Sequence, residues 1–172
     1  MIFKWSQEIY KKQTFMIPQF PFHRQLGELD CGVTCLKMII DYFGKYISFE
    51  QLQNFLPTRK DGVSLKDISN VASEIGLKTM GVKVSYERLV EEIPTPCIAF
   101  WKQQHFVVIY HVNDEYVWIA DPASRGIYVQ SKETFQEGWV CDPELQSGVL
   151  LLFEKTPAFS EIKKSKNLEL SI

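Results

Sequence analysis

Along the first half of the chain apolar residues recur with the spacing of helices, and along the second half with the alternation of strands. The segment CGVTCLKMIIDYF carries apolar side chains at 35, 36, 39, 40, 42 and 43. With Asp30 in an N-cap position and Gly44 as a stop, it predicts a buried helix whose first turn begins at Cys31. Ser48 and Gln51 have the spacing of a capping box and open a second helix through FEQLQNFL, ended by Pro57. A third follows Ser64 through Leu65, Ile68, Val71, Ala72 and Ile75 to Gly76, with i, i+3, i+4, i+7 spacing.

At Leu77 the period changes. LKTMGVKV (77–84) reads as a strand, Ser85 to Glu92 as a short helix, and IPTP as a breaker. CIAFW (97–101), HFVVIYHV (105–112), EYVWIA (115–120), GIYV (126–129) and VLLLFEK (149–155) are β-branched and aromatic runs separated by turn residues. Ser131 caps a short helix, KETFQEGW. Helices followed by a meandering antiparallel sheet predict an α+β domain with an N-terminal helical layer. From Thr156 onward the pattern is lost, and 156–172 reads as a tail or the start of a linker.

Composition narrows the picture. The 172 residues, 45% hydrophobic and 13% aromatic, suit one domain with short tails. The 19 Lys and Arg are scattered and the formal net charge is −2, so no nucleic-acid partner is expected. The first 22 residues mix charges among apolar side chains and lack the core of a signal peptide, and runs such as VLLLF are far shorter than the ~20 residues of a membrane span. Four cysteines without a secretory signal point to reduced thiols in the cytosol.

The stretch QLGELDCGVTC concentrates the chemistry. A metal site would need a second cluster beside Cys31 and Cys35, and His105 and His111 stand apart among apolar residues. A dithiol redox centre normally has two intervening residues, not three, and follows a strand of a βαβ unit. A nucleophile uses more of what is present. Cys31 in the first helical turn sits at the positive end of the helix dipole, which favours a thiolate.

A base and its orienting group follow from the hairpin around Asn113 and Asp114. Its two arms are nearly equal, which puts Asp121 within a residue or two of facing His105 across the strands, roughly 4.5 to 5.5 Å between Cβ atoms if directly paired. His111 shares that strand and, by alternation, that face, but lies near the turn, out of reach of Asp121. The side-chain amide of Gln25, with the backbone N–H of Cys31, could stabilise an oxyanion, and Gly32 keeps the approach to the nucleophile free of a side chain. Each residue also has a plainer reading. Cys35, one turn on with Leu36 and Ile39, reads as a packed thiol whose loss is mild. A strand histidine is usually structural, and Asp121 before a proline often just starts a turn. On the residues alone, the nucleophile reading and the structural one stand side by side.

QLGELDCGVTCLKMIIDYFGKYIS, DGVSLKDISNVASEIGLKT, WKQQHFVVIYHV and IADPASRG resemble the cysteine peptidase domain at the N-terminus of bacterial peptidase-containing ABC exporters, the double-glycine-leader or bacteriocin-processing peptidases. The similarity runs from roughly Phe20 to Lys155, which sets a peptidase domain at 21–155 behind an N-terminal extension at 1–20. It implies a papain-like fold, with Cys31 as nucleophile, His105 as general base, Asp121 as the acid that orients it and Gln25 as oxyanion donor. It implies no cofactor and no metal. As substrate it implies the leader of a precursor peptide, bound as an amphipathic helix and cut after Gly-Gly or Gly-Ala, and as partners the membrane and ATP-binding parts of an exporter. The lead-in is longer than the family usually shows, and no Walker sequence occurs, so ATP is not expected as a cofactor of this chain. The chain then reads as a piece of an exporter ending near its linker, at the cytosolic face of the inner membrane, or as a free-standing peptidase. Rival readings are a docking module that holds a peptide without cutting it, and another papain-like thiol hydrolase.

Overall fold

The computed structural model describes residues 19–56 and 62–166, with side chains described as far as 161. Most of the 1–20 extension, and Pro57 as a helix stop, lie outside the described residues.

Three helices lead: α1 (Cys31–Tyr42), α2 (Phe49–Gln53) and α3 (Leu65–Glu74). After them come β1 (Leu77–Ser85), α4 (Tyr86–Glu92), β2 (Cys97–Trp101), β3 (His105–Val112), β4 (Tyr116–Ala120) and β5 (Ile127–Ser131). The chain continues through α5 (Lys132–Trp139), β6 (Val140–Asp142), β7 (Ser147–Lys155) and α6 (Pro157–Lys166). All the strands pair antiparallel in one sheet of order β1-β7-β2-β3-β4-β5, with β6 beside β7.

Alternation along the strands sorts the core into two layers. Ile98, Phe106, Val108, Ala120 and Leu151 join α1 and α3 on one face. Cys97, Ala99, Val107, Ile109, Val117, Ile119 and Leu150 meet Leu89 of α4 and Phe135 and Trp139 of α5 on the other. The helical layer expected from the first half is therefore one of two, and α4 and α5 cover the opposite face. Helix α1 is the most deeply set: Cys35, Leu36, Met38, Ile39 and Ile40 are fully buried. Each large aliphatic among them is worth about 1.5–3 kcal/mol of transfer free energy.

Local chemistry fixes most helix starts. Ser48 and Gln51 form the expected capping box, and Ser64 forms another with Asp67, which the sequence reading did not pick out. Ser85 and Ser131 cap α4 and α5. Asp30 differs from expectation. It stands at the N-cap of α1, but its carboxylate turns away from the helix to accept the Gly27 N–H at 2.8 Å, and α1 has no side-chain cap.

The segment expected to be a tail is helical over Pro157–Lys166. Phe159 is 4% exposed and packs edge-on against Phe43, while its carbonyl accepts a hydrogen bond from Lys45 Nζ at 2.9 Å. Thr156 ties the start of α6 to the carbonyl of Gly76 through both N–H and hydroxyl. Gly76 has φ +81, and a side chain there would collide with the main chain at Ala158 and Phe159. The sequence pattern missed this because a single buried aromatic leaves no repeat.

Candidate active site

The N-terminus of α1 abuts the start of β3. Gly32 permits that approach, since the space a side chain would fill holds Val63, Ile68 and Phe106. Its role is close packing of α1 on α3 and β3, rather than the clear substrate path expected. Cys31 is 8% exposed, and its thiol and the His105 imidazole act on each other's proton affinity.

His105 Nε2 lies 2.8 Å from Asp121 Oδ1, which leaves Nδ1 as the nitrogen that faces Cys31. Asp121 is held in turn. Its Oδ1 also accepts the Ala123 N–H at 2.8 Å, and its Oδ2 accepts the Tyr128 hydroxyl at 3.3 Å. The turn expected at this Asp-Pro also forms, closed by the Ser124 N–H on the Asp121 carbonyl at 2.9 Å. The plain reading and the functional one thus hold together at this residue.

The strand register differs from the simple hairpin count. A β-bulge between Ile109 and His111 shifts the pairing, with Val108 opposite Ala120 and His111 opposite Trp118. Continued one step, the ladder puts Asp121 opposite Val107, on the diagonal from His105, still within reach of two long side chains. The bulge also reverses the alternation: Val112 rejoins the layer of Val107 and Ile109. His111 consequently leaves the face assigned to it and sits edge-on to Trp118 at 4.8 Å. The third histidine, His23, lies 2.6 Å from Asp41, itself bound by Lys37, on the flank of α1.

Electrostatics favour an ion pair. Burial pushes the Cys31 thiol up, but hydrogen bonds from His105 and from the Phe106 and Gly32 main chain, with the charge of His105, leave it below its ordinary value. Burial would lower His105, yet its bonds to Asp121 and Cys31 and the charges of both push it up to about 9. Asp121 is driven up by burial and brought below the usual carboxylate range by its bonds to His105, Ala123 and Tyr128. By contrast, Cys35 is fully buried and pushed well above the ordinary thiol value, chiefly by desolvation.

Gln25 sits in the loop ahead of α1. Its N–H donates to the Pro122 carbonyl at 2.9 Å, which ties this loop to the one carrying Asp121. Its side-chain Nε2 donates to the Gly27 carbonyl at 2.9 Å, and its Oε1 is buried with no partner among the described residues. The structure therefore brings Cys31, His105 and Asp121 together through side chains, and Gln25 through main chain. Tyr128 escaped the sequence reading. Its signal lies in the register, since it faces Ile119, two residues before Asp121 on the same strand face.

Comparison with known proteins agrees with this architecture. The model of the Peptidase C39 family matches residues 19–158. The lactococcin-G-processing and transport ATP-binding protein LagD of Lactococcus lactis subsp. lactis is 35% identical over 132 residues, covering 74% of this chain and 18% of the relative. The colicin V secretion/processing ATP-binding protein CvaB of Escherichia coli is 34% identical over 113 residues, 66% of this chain and 16% of the relative. The chain thus spans less than a fifth of the length of these two curated relatives. Among solved structures, a double glycine motif protease from an AMS/PCAT transporter, in complex with its leader peptide, superposes with a TM-score of 0.72 at 29% identity, over 80% of this chain and 93% of that one. The peptidase domain of Streptococcus ComA, at 23% identity, shares the fold with a TM-score of 0.70 over 80% of this chain and 100% of that one. The papain-like α+β fold implied by the resemblance is borne out. Among the described residues no helix is long and apolar enough to cross a membrane. Matched by the family model over most of its length, the chain belongs to the Peptidase C39 family, whose members cleave peptide bonds with a cysteine.

Proposed function

We propose that this chain removes the leader of a precursor peptide after a Gly-Gly or Gly-Ala pair, with Cys31 as nucleophile, His105 as base and Asp121 orienting it. The observation that carries the reading is the contact chain from the Cys31 thiol to His105 and from His105 Nε2 to Asp121 Oδ1 at 2.8 Å.

The steps follow from that chain. The Cys31 thiolate attacks the scissile carbonyl carbon, forming a C–S bond and moving the carbonyl electrons onto oxygen. The oxyanion lies at the head of α1, whose first-turn N–H groups have no side-chain cap. The Cys31 N–H and the Gln25 amide are its donors. Collapse expels the amine, which takes a proton from His105 and leaves a thioester. His105 then draws a proton from water, whose attack releases the leader carboxylate and restores the thiol.

Small residues beside the scissile bond suit a narrow cleft next to a buried thiol. The substrate class is supported by the leader-bound relative and by the names of the curated ones. By the same analogy, the chain works with the membrane and ATP-binding parts of an exporter, at the cytosolic face of the membrane. Incubation with a synthetic precursor carrying a Gly-Gly leader, followed by mass analysis, tests the reading. Wild type should yield leader and cargo as separate masses, and Cys31→Ala should yield neither while retaining the wild-type melting temperature. Intact precursor bound by wild type would favour a docking module instead, and cleavage elsewhere would favour a different thiol hydrolase.

A further inference from the structure

The β3–β4 ladder ends at the pair Val108 and Ala120, because β4 itself ends at Ala120. Two residues earlier on β3, Phe106 has no register partner on β4, and its main-chain groups on that side need other partners. Helix α1 supplies them. Cys35 Sγ donates to the Phe106 carbonyl at 3.3 Å in a fully buried setting. The Phe106 main chain is also among the groups that hold the Cys31 thiol below its ordinary value. Two thiols one helical turn apart, on one face of α1, thus both act on the main chain of a single residue, one of them through a direct hydrogen bond to its carbonyl. That residue is the chain neighbour of His105.

We propose that Cys35 is a positioning residue for the cleavage reaction: by holding the Phe106 carbonyl, its S–H fixes the start of β3 against α1 and sets where His105 meets the Cys31 sulfur. The proposal rests on the reading of Cys31 and His105 as nucleophile and base, and deepens it. A neutral thiol is the form that can donate, and burial holds Cys35 neutral, with the charges of Cys31 and Asp121 acting in the same direction. A packing residue alone would need only the right volume. A positioning residue needs the donor.

Serine and alanine separate the two roles, because they are close in volume and only serine donates. The groups that face Cys31 are His105 on β3, with Asp121 behind it, and Cys35 on its own helix. Cleavage of the Gly-Gly precursor is measured for wild type, Cys35→Ala and Cys35→Ser. Alkylation of Cys31 by iodoacetamide is followed across pH by peptide mass. Cys35→Ala should lower kcat about five- to tenfold with KM unchanged, the loss of one buried hydrogen bond. Its alkylation profile should move to higher pH, and Cys35→Ser should restore both to within about twofold. Wild-type kcat and profile in Cys35→Ala, or equal losses in both variants, would overturn the proposal. Should the alanine variant not fold, the near-isosteric pair Cys35→Thr and Cys35→Val puts the same question with the same outcomes. If wild type leaves the precursor intact, the cleavage reading fails, while the shift of the alkylation profile still decides whether Cys35 positions the sulfur.

Discussion

His105 and Asp121 meet at 2.8 Å across a diagonal of the β3–β4 hairpin, not as a directly opposed pair. The Asp121 oxygen that accepts from the imidazole also accepts the Ala123 N–H, so the carboxylate is fixed from behind before it orients the ring. A pH dependence follows. The reactive form has Cys31 deprotonated and His105 protonated, and the thiol lies below its ordinary value while the imidazole lies at about 9. Activity should rise with pH through the depressed thiol pKa and fall as pH passes about 9. Asp121→Asn removes the charge that raises His105, so the alkaline limb should move to lower pH and kcat should drop by about 10²-fold or more. The pH profile of kcat/KM on the Gly-Gly precursor is the check, and an unmoved alkaline limb would count against the role given to Asp121.

Tyr128 lends the carboxylate its third donor, at 3.3 Å and on Oδ2 rather than on the oxygen that meets His105. Tyr128→Phe should therefore be mild: a few-fold loss of kcat, about what one long neutral hydrogen bond carries. The alkaline limb should shift slightly to higher pH, opposite to Asp121→Asn, because a carboxylate that loses a donor holds the imidazolium more strongly. A loss as large as that of Asp121→Asn would mean that the phenol touches substrate directly.

The elements were legible because their signals are local and repeated. In α1 the apolar positions fill one face and most of the next, Ser48 and Ser131 announce helix starts, and the alternation in β2, β3 and β4 survives burial on both faces. What escaped depends on single residues acting at long range. One extra residue in β3, at Tyr110, moves Asp121 from opposite Val108 to opposite Val107, on the diagonal from His105, and no periodicity reveals a bulge in advance. Asp30 has the composition of a cap, yet its carboxylate finds Gly27 first. Cys35 looked like packing because its acceptor, the Phe106 carbonyl, is 71 residues away in sequence.

The turn between β2 and β3 is a place where stability can be gained beside the site. Gln104 N–H closes it on the Trp101 carbonyl at 3.2 Å, and Lys102 and Gln103 both have positive φ, 48 and 54. Such a conformation costs a side-chain-bearing residue about 1–2 kcal/mol, part of which glycine returns through its looser unfolded chain. Gln103→Gly should thus stabilise by about 0.5–1 kcal/mol, raising Tm by about 2 °C in thermal melts. Since His105 follows this turn directly, kcat should be read in the same variant. Unchanged kcat with higher Tm would show that the strain serves only chain reversal.

Gln25 gives the sharpest test of the oxyanion donors, because its two connections are separable. The loop is tied to that of Asp121 through main chain, by Gln25 N–H on the Pro122 carbonyl, so a side-chain substitution keeps the tie. The side-chain amide donates to the Gly27 carbonyl at 2.9 Å and to the Glu28 carbonyl at 3.4 Å, and under the proposed role it turns one of these N–H groups to the oxyanion. Gln25→Ala should lower kcat on the precursor by about 10²- to 10³-fold, with KM little changed. Alkylation of Cys31 by iodoacetamide proceeds by displacement and builds no oxyanion, so its rate should stay at the wild-type value. A parallel fall in alkylation would mean that Gln25 shapes the thiol itself, and a normal kcat would leave the α1 N–H groups as the only donors.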